Sequence, residues 1–268
     1  MARFPLALHT WTLESTTLFD QLEIAPRTGW EALELRRVDF TRALERGKTA
    51  EDVIAAVRAC GLPVAAVGVE PGWLFAEGAE LRRLLSVFDE QCGHAEKLGA
   101  PIAMTAVGAE TDNTSGLAQR VREVGDIARR HGLTVALEFN SQIKHINTID
   151  RARDLLREAN HPSVGLLVDT YHMQRSGSGD PSCYTAIPGS EIAYVQFSDV
   201  PAATTPGQIL DRLPAGHGVI PFRAIFDAVA QTGYSGYLSY EAPNAEAWKR
   251  DADIVAREAL DAARSFMS

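Results

Sequence analysis

The chain is short of cysteine, of basic charge and of long apolar runs, and each shortage removes a class of protein. Its three cysteines, Cys60, Cys92 and Cys183, stand far apart, are odd in number and form no C-x-x-C pair. That excludes a disulfide framework and a thiolate metal site. No apolar stretch approaches the roughly 18 residues that a membrane span needs, so no membrane partner is expected. Lys and Arg number 26 against 35 Asp and Glu, a net charge of −9, and the basic residues are scattered among acids, as in Arg120-Val121-Arg122-Glu123. Without a clustered positive face to hold a phosphate backbone, nucleic acid is not an expected partner. The opening MARFPLALHTWTLES has one arginine and an apolar stretch soon broken by His9 and Thr10. This predicts no signal peptide and a cytoplasmic address.

What the sequence has is a cadence. Short apolar runs, many of them β-branched, fall at 6–13, 32–37, 63–69, 101–107, 134–140, 164–169, 192–199 and 236–241. Most are continuously apolar rather than alternating, as in parallel strands buried on both faces. Helical patterns lie between them at 51–60, 80–98, 117–131, 150–159 and 222–231, and Gly61, Gly99, Gly132 and Gly233 follow such patterns just before the next run. A glycine there closes a helix cheaply because it accepts positive φ. The segment 176–190, rich in Gly, Pro and Ser, predicts a loop and a short helix. Eight strand candidates alternating with helices favour a (β/α)8 TIM barrel over an open doubly wound sheet. No G-x-G-x-x-G follows the first run, so a dinucleotide fold lacks its fingerprint. Barrels of this kind commonly occupy about 250 residues as one unit, which predicts a single domain over 1–268.

In such a barrel the chemistry gathers at the C-terminal ends of the strands. Those ends are acidic here: TVALEFN delivers Glu138, GLLVDTYH delivers Asp169 and His172, YVQFSD delivers Gln196, and YLSYE delivers Glu241. Three carboxylates and an amide on successive strands would converge at one mouth and repel one another unless a cation neutralised them. An all-oxygen set suits a hard divalent ion such as Mg²⁺ or Mn²⁺.

The segments ALEFN, LVDTYHM, YVQFSD and GYLSYE, with RLPAGHG between the last two strands, resemble the xylose isomerase-like barrel superfamily of sugar phosphate isomerases and epimerases. That superfamily includes ketose 3-epimerases, inosose dehydratases, 3-dehydroshikimate dehydratases and a DNA-repair endonuclease branch. The resemblance implies that Glu138, Asp169, Gln196 and Glu241 are metal ligands, that His172 contacts substrate, and that Glu138 and Glu241 form the acid/base pair. Arg212, before the glycine-rich turn, takes the place of a substrate-holding arginine. Two departures stand out. Many members carry histidine where this chain has Gln196, and an amide oxygen favours Mn²⁺ or Mg²⁺ over Co²⁺ or Zn²⁺. The common P-G-x-G turn is stretched into Pro214-Ala215-Gly216-His217-Gly218.

Further substrate contacts are expected from Trp11, from Arg36 at the end of ALELRR and from Arg175 after His172. Arginine suits a substrate carboxylate through its bidentate geometry, although pairing of Arg36 or Arg37 with Glu34 is an equal alternative. His9, Trp73 and Phe75 are candidates for an apolar wall or for plain packing, and 216–218 for a phosphate cradle or a simple tight turn. The expected activity is divalent-metal-dependent isomerisation or epimerisation of a small polyhydroxylated keto-sugar, keto-cyclitol or keto-acid, by proton abstraction beside the carbonyl through an enediolate. The alternative is a dehydratase of the 3-dehydroshikimate or keto-inositol type, favoured by Gln196, which resembles the dehydratase-like branches more than the ketose 3-epimerases, and by the candidate carboxylate-binding arginines. The endonuclease branch is remote, since VGVE and MTAV place no histidine at the ends of strands three and four. A homo-oligomer is left open.

Overall fold

A computed structural model describes residues 4–203 and 208–267. Eight strands, β1 (Leu6–His9), β2 (Ala32–Leu35), β3 (Val64–Gly68), β4 (Ile102–Ala106), β5 (Thr134–Glu138), β6 (Val164–Asp169), β7 (Ile192–Phe197) and β8 (Leu238–Tyr240), close in sequence order into one barrel. Every pairing is parallel, including β1 with β8. The expected (β/α)8 TIM barrel is therefore the fold. Each expected run contains its strand, but several strands stop earlier. The first run to 13 divides at His9, whose ring Nδ1 accepts the backbone N–H of Trp11 and turns the chain into a 3-10 helix over Thr10–Leu13.

The helices packed outside include those read from the pattern, and Thr49 with Asp52 forms a reciprocal N-cap while Gly61 and Gly99 end their helices with φ of 79° and 70°. The 176–190 segment holds the short helix Pro181–Thr185. Helices Leu18–Thr28, Arg37–Glu45 and Ala252–Ser265 were not among the expected patterns. Between barrel and helices lies a continuous apolar layer in which Phe197 meets Phe222, Phe226 and Tyr240 with ring centroids 5.4–6.1 Å apart. Trp73 and Phe75 belong to this core, at 1% and 3% exposure, so they pack rather than wall the mouth. Among the described residues no helix is long and apolar enough to cross a membrane.

The outer helices are also tied by charge. His131, which ends the helix Leu117–Arg130, touches Glu96 through Nδ1 at 2.7 Å and Asp89 through Nε2 at 2.9 Å, both on the helix Gly78–Leu98. Partial burial opposes the charged ring, but the two carboxylates outweigh it and hold the His131 pKa above its ordinary 6.5. A group raised on folding stabilises fully below its unfolded pKa and loses that contribution as pH rises through the folded value. His131→Gln is thus expected to lower Tm clearly at pH 6 and progressively less as the pH is raised above 6.5, as thermal unfolding against pH would record.

Candidate active site

The barrel's direction fixes where the polar side chains meet. Parallel strands all end at one rim, so residues at their last positions share one mouth. Glu138 ends β5, Asp169 ends β6, and Glu241 follows β8 with its N–H still bonded to the Phe197 carbonyl. All are at most 7% exposed. Arg212, from the loop after β7, sits among them: one guanidinium nitrogen donates to Asp169 Oδ2 at 2.8 Å and to Glu241 Oε2 at 2.6 Å. Its plane covers the Tyr171 ring at 4.2 Å.

The segment carrying Arg212 is bolted from below. Asp199, fully buried, accepts backbone N–H bonds from Val200, Gly216, Gly218 and Ile220 at 2.8–2.9 Å. The glycine turn therefore does not offer free amides to a phosphate: an internal carboxylate already takes them. This corrects the cradle reading of 216–218.

Arg212 is the cation that bonds these acids, and a further carboxylate stands deeper in the barrel. Glu34 on β2 is completely buried and receives the side-chain N–H of Gln196 on β7 at 2.8 Å. Burial, reinforced by the nearby Glu241 charge, pushes Glu34 up to about 8. Burial likewise raises Glu138 well above the carboxylate range, with Glu241 and Asp169 adding to it. Burial raises Asp169 to about 6, with Arg212 pulling the other way. Charge is thus undercompensated, and Glu138 Oε1 and Gln196 Oε1 are buried without a hydrogen-bond partner, while the Ser239 and Tyr194 hydroxyls stand beside Glu34.

Two histidines flank the acids, and both are held neutral. Burial, then the Arg36 and Arg212 charges, pushes His9 well down; burial, then Arg212 and Arg175, does the same to His172. Their tautomers follow from the backbone. Trp11 N–H donates to His9 Nδ1 at 3.0 Å and Ser141 N–H to His172 Nδ1 at 3.3 Å, so in each neutral ring the proton sits on Nε2. His172 Nε2 then faces Glu138 Oε1 at 3.6 Å, and His9 Nε2 faces Glu241 at 3.4 Å and Glu34 at 3.7 Å. Ligand atoms of Glu138, Asp169 and His172 lie within 4.8 Å of one another and could hold a metal ion. The Ser141 bond makes His172 Nε2 a donor, however, which argues for it as a substrate contact and leaves the oxygens to bind a cation.

Beside these groups a cavity of about 250 Å³ opens between Glu138, Glu241, His9, Trp11, Arg36 and Met104. Trp11 and Arg36 therefore line the same space as the two glutamates. Arg36 is engaged: it bonds Glu14 at 2.6 Å, lies 3.5 Å from Asp39 and 5.9 Å from the Trp11 ring centroid. It does not pair with Glu34, whose partner is Gln196. Arg37 pairs with Glu70 at 3.4 Å. Arg175 does not line the cavity; it points to the Tyr171 hydroxyl at 2.9 Å and to Asp211 at 3.4 Å, bracing the Arg212 segment from outside. Lys144 pairs with Asp112 at the rim. Glu34 and Asp199 were missed as site residues in the sequence reading. Glu34 had a signal, a lone acid inside the apolar run ALEL, where a solvent-facing position is unexpected.

A family model for the xylose isomerase-like TIM barrel matches residues 22–265, and the chain belongs to that family. It is 29% identical over 154 residues to a 3-dehydroshikimate dehydratase of Pseudomonas putida, a match covering 54% of this chain and only 24% of that protein's length. An inosose isomerase of Bacillus velezensis is 23% identical over 267 residues, covering 96% of this chain and 94% of the relative. The solved structure of the IolI protein with a bound zinc atom superposes with a TM-score of 0.84 at 20% identity, covering 98% of this chain and 96% of that one.

The Asp199 cup predicts a stability effect separate from chemistry. Asp199→Ala strands the buried N–H groups of Val200 and Ile220, removes the acceptor of the Gly216 and Gly218 amides and frees the Arg212 segment, so a loss of about 2–4 kcal/mol is expected in denaturant unfolding. A change below about 1 kcal/mol would show that the cup does not hold the loop.

Proposed function

We propose that this protein is a divalent-metal-dependent isomerase or epimerase that moves a proton at the carbon beside the carbonyl of a small, uncharged keto-polyol, a keto-sugar or keto-cyclitol. The observation that carries this reading is that Glu138 and Glu241 line one cavity, with the His172 Nε2–H beside Glu138. Glu138 has a buried oxygen without a partner, and burial raises its pKa above the ordinary carboxylate range, which makes it a stronger base than an exposed glutamate. It takes the proton from the carbon. In isomerisation Glu138 itself gives the proton back to the neighbouring carbon; in epimerisation Glu241, held by Arg212, delivers a proton of its own to the opposite face, and Glu138 releases the abstracted one to water before the next turnover. His172 donates to a substrate oxygen, and Trp11 supplies an apolar face.

The donor set fits a cation: Glu138, Asp169, Glu241 and Gln196 offer oxygens, two of them without a partner in the fold. These residues would hold the ion. When bound, it supplies Lewis-acid stabilisation of the negative charge that grows on the carbonyl oxygen as the proton leaves. An oxygen-only set favours Mn²⁺ or Mg²⁺ over Zn²⁺ or Co²⁺.

The preference for an uncharged substrate rests on the cations around the cavity. Arg36, Arg37 and Arg212 each have carboxylate partners within 3.4 Å, and the turn amides are taken by Asp199. A carboxylate or phosphate on the substrate would have to compete for them. This disfavours a keto-acid such as 3-dehydroshikimate as far as its carboxylate would need a free arginine, while Gln196 still fits a dehydratase. A dehydratase of a keto-cyclitol shares the first proton transfer and then expels a β-hydroxyl.

The test is proton NMR in D₂O with neutral ketoses, keto-inositols and 3-dehydroshikimate, using protein loaded with Mn²⁺ and stripped of it before acquisition. Deuterium at the carbon beside a neutral ketone with the formula otherwise kept is the expected result. New vinyl signals with loss of water would select the dehydratase, and turnover unaffected by a chelator would overturn the metal-dependent reading. Glu138→Gln is expected to lower turnover by about 10²- to 10⁴-fold, the usual worth of a positioned acid or base.

A further inference from the structure

The Gln196–Glu34 bond spans the barrel lumen. β2 is hydrogen-bonded to β1 and β3, and β7 to β6 and β8, so the 2.8 Å contact joins side chains from strands that are not neighbours. Both residues are fully buried. A primary amide has two different ends, a donor and an acceptor, and which end faces where decides what it can bind. With Nε2 on a Glu34 oxygen, the donor end is spent there and Oε1 points elsewhere. That oxygen has no partner, and neither does Glu138 Oε1, while Asp169 stands opposite Gln196 in the β6–β7 register. Orphaned acceptors cannot satisfy one another; only a donor or a cation can.

We infer that Glu34 is a positioning residue that fixes the Gln196 amide, so that its oxygen becomes a neutral fourth donor for the cation held by Glu138, Asp169 and Glu241. The inference rests on the functional reading above and adds to it the origin of metal preference. A partner that orients a ligand from behind is worth about 10- to 100-fold in metal affinity. Reversal of the amide would present N–H to the ion, and loss of Glu34 permits that reversal.

The measurement is Mn²⁺ affinity of the full chain, from the electron paramagnetic resonance signal of free Mn²⁺, with thermal unfolding to verify that each variant is folded. Glu34→Leu and Gln196→Leu are each expected to weaken binding by 10- to 100-fold. The double variant is expected to be no weaker than Gln196→Leu alone, because a positioning role of Glu34 has nothing left to position once Gln196 is gone. Glu34→Gln keeps a carbonyl oxygen to accept the Gln196 N–H and is expected to stay within about threefold of the unaltered protein; this variant carries the test if Glu34→Leu does not fold. A Glu34→Leu penalty that persists in the Gln196→Leu background, or a tenfold loss in Glu34→Gln, would overturn the inference while leaving the functional reading in place. Failure of the unaltered protein to bind Mn²⁺ would overturn both.

Discussion

Four carboxyl groups and one guanidinium share the inside of a closed parallel barrel, and the imbalance between them governs the rest of the site. Two like charges about 4 Å apart repel by roughly 4 kcal/mol at the effective dielectric of a protein interior. Arg212 relieves part of this by bridging Asp169 and Glu241. What remains appears as upward displacement of Glu34, Glu138 and Asp169, that is, as affinity for protons where no stronger cation competes. The same arrangement keeps His9 and His172 neutral, since burial and the arginine charges both disfavour a positive ring. A site that holds excess negative charge next to neutral N–H donors can attract an electrophilic metal ion without losing the hydrogen bonds that orient a carbonyl.

The supports of this site come from the chain's own backbone. Amide N–H groups of Trp11 and Ser141 set the imidazole tautomers, and four more, gathered on Asp199, set the path of the Arg212 segment. Backbone donors cannot rotate away as side chains do. They therefore preorganise the site without further loss of side-chain freedom.

The barrel could be read from the sequence because parallel strands covered on both faces leave continuous apolar runs, and each run contains a strand. Helices were harder. Ala252–Ser265 buries Val255 and Leu260, but the rest of its buried face is Ala256, Ala259 and Ala263, a weaker stripe than one of large residues, and Leu18–Thr28 carries Pro26 near its end, a residue that reads as a stop. Strand-end carboxylates were visible because a charge after an apolar run is conspicuous, and Glu138, Asp169 and Glu241 do meet at the mouth. Partner choice was not visible. Whether Arg36 faces Glu34 or Glu14, or Arg175 faces the cavity or Asp211, depends on the packing of separate loops, and sequence spacing carries no information about that. Glu34 escaped notice as a site residue because its partner Gln196 lies 162 positions away.

Asp199 has an evolutionary consequence. Barrels of this architecture frequently bind phosphate with amides of the loops that follow the seventh and eighth strands. Here those amides close on an aspartate of the same chain, an anion built into the fold that occupies the place a ligand's charge would take. A descendant of this protein could gain a phosphorylated ligand only by first giving up that carboxylate, and the loop carrying Arg212 would then be ordered by the ligand itself. Recruitment of a new substrate and loss of intrinsic loop stability would be a single genetic step.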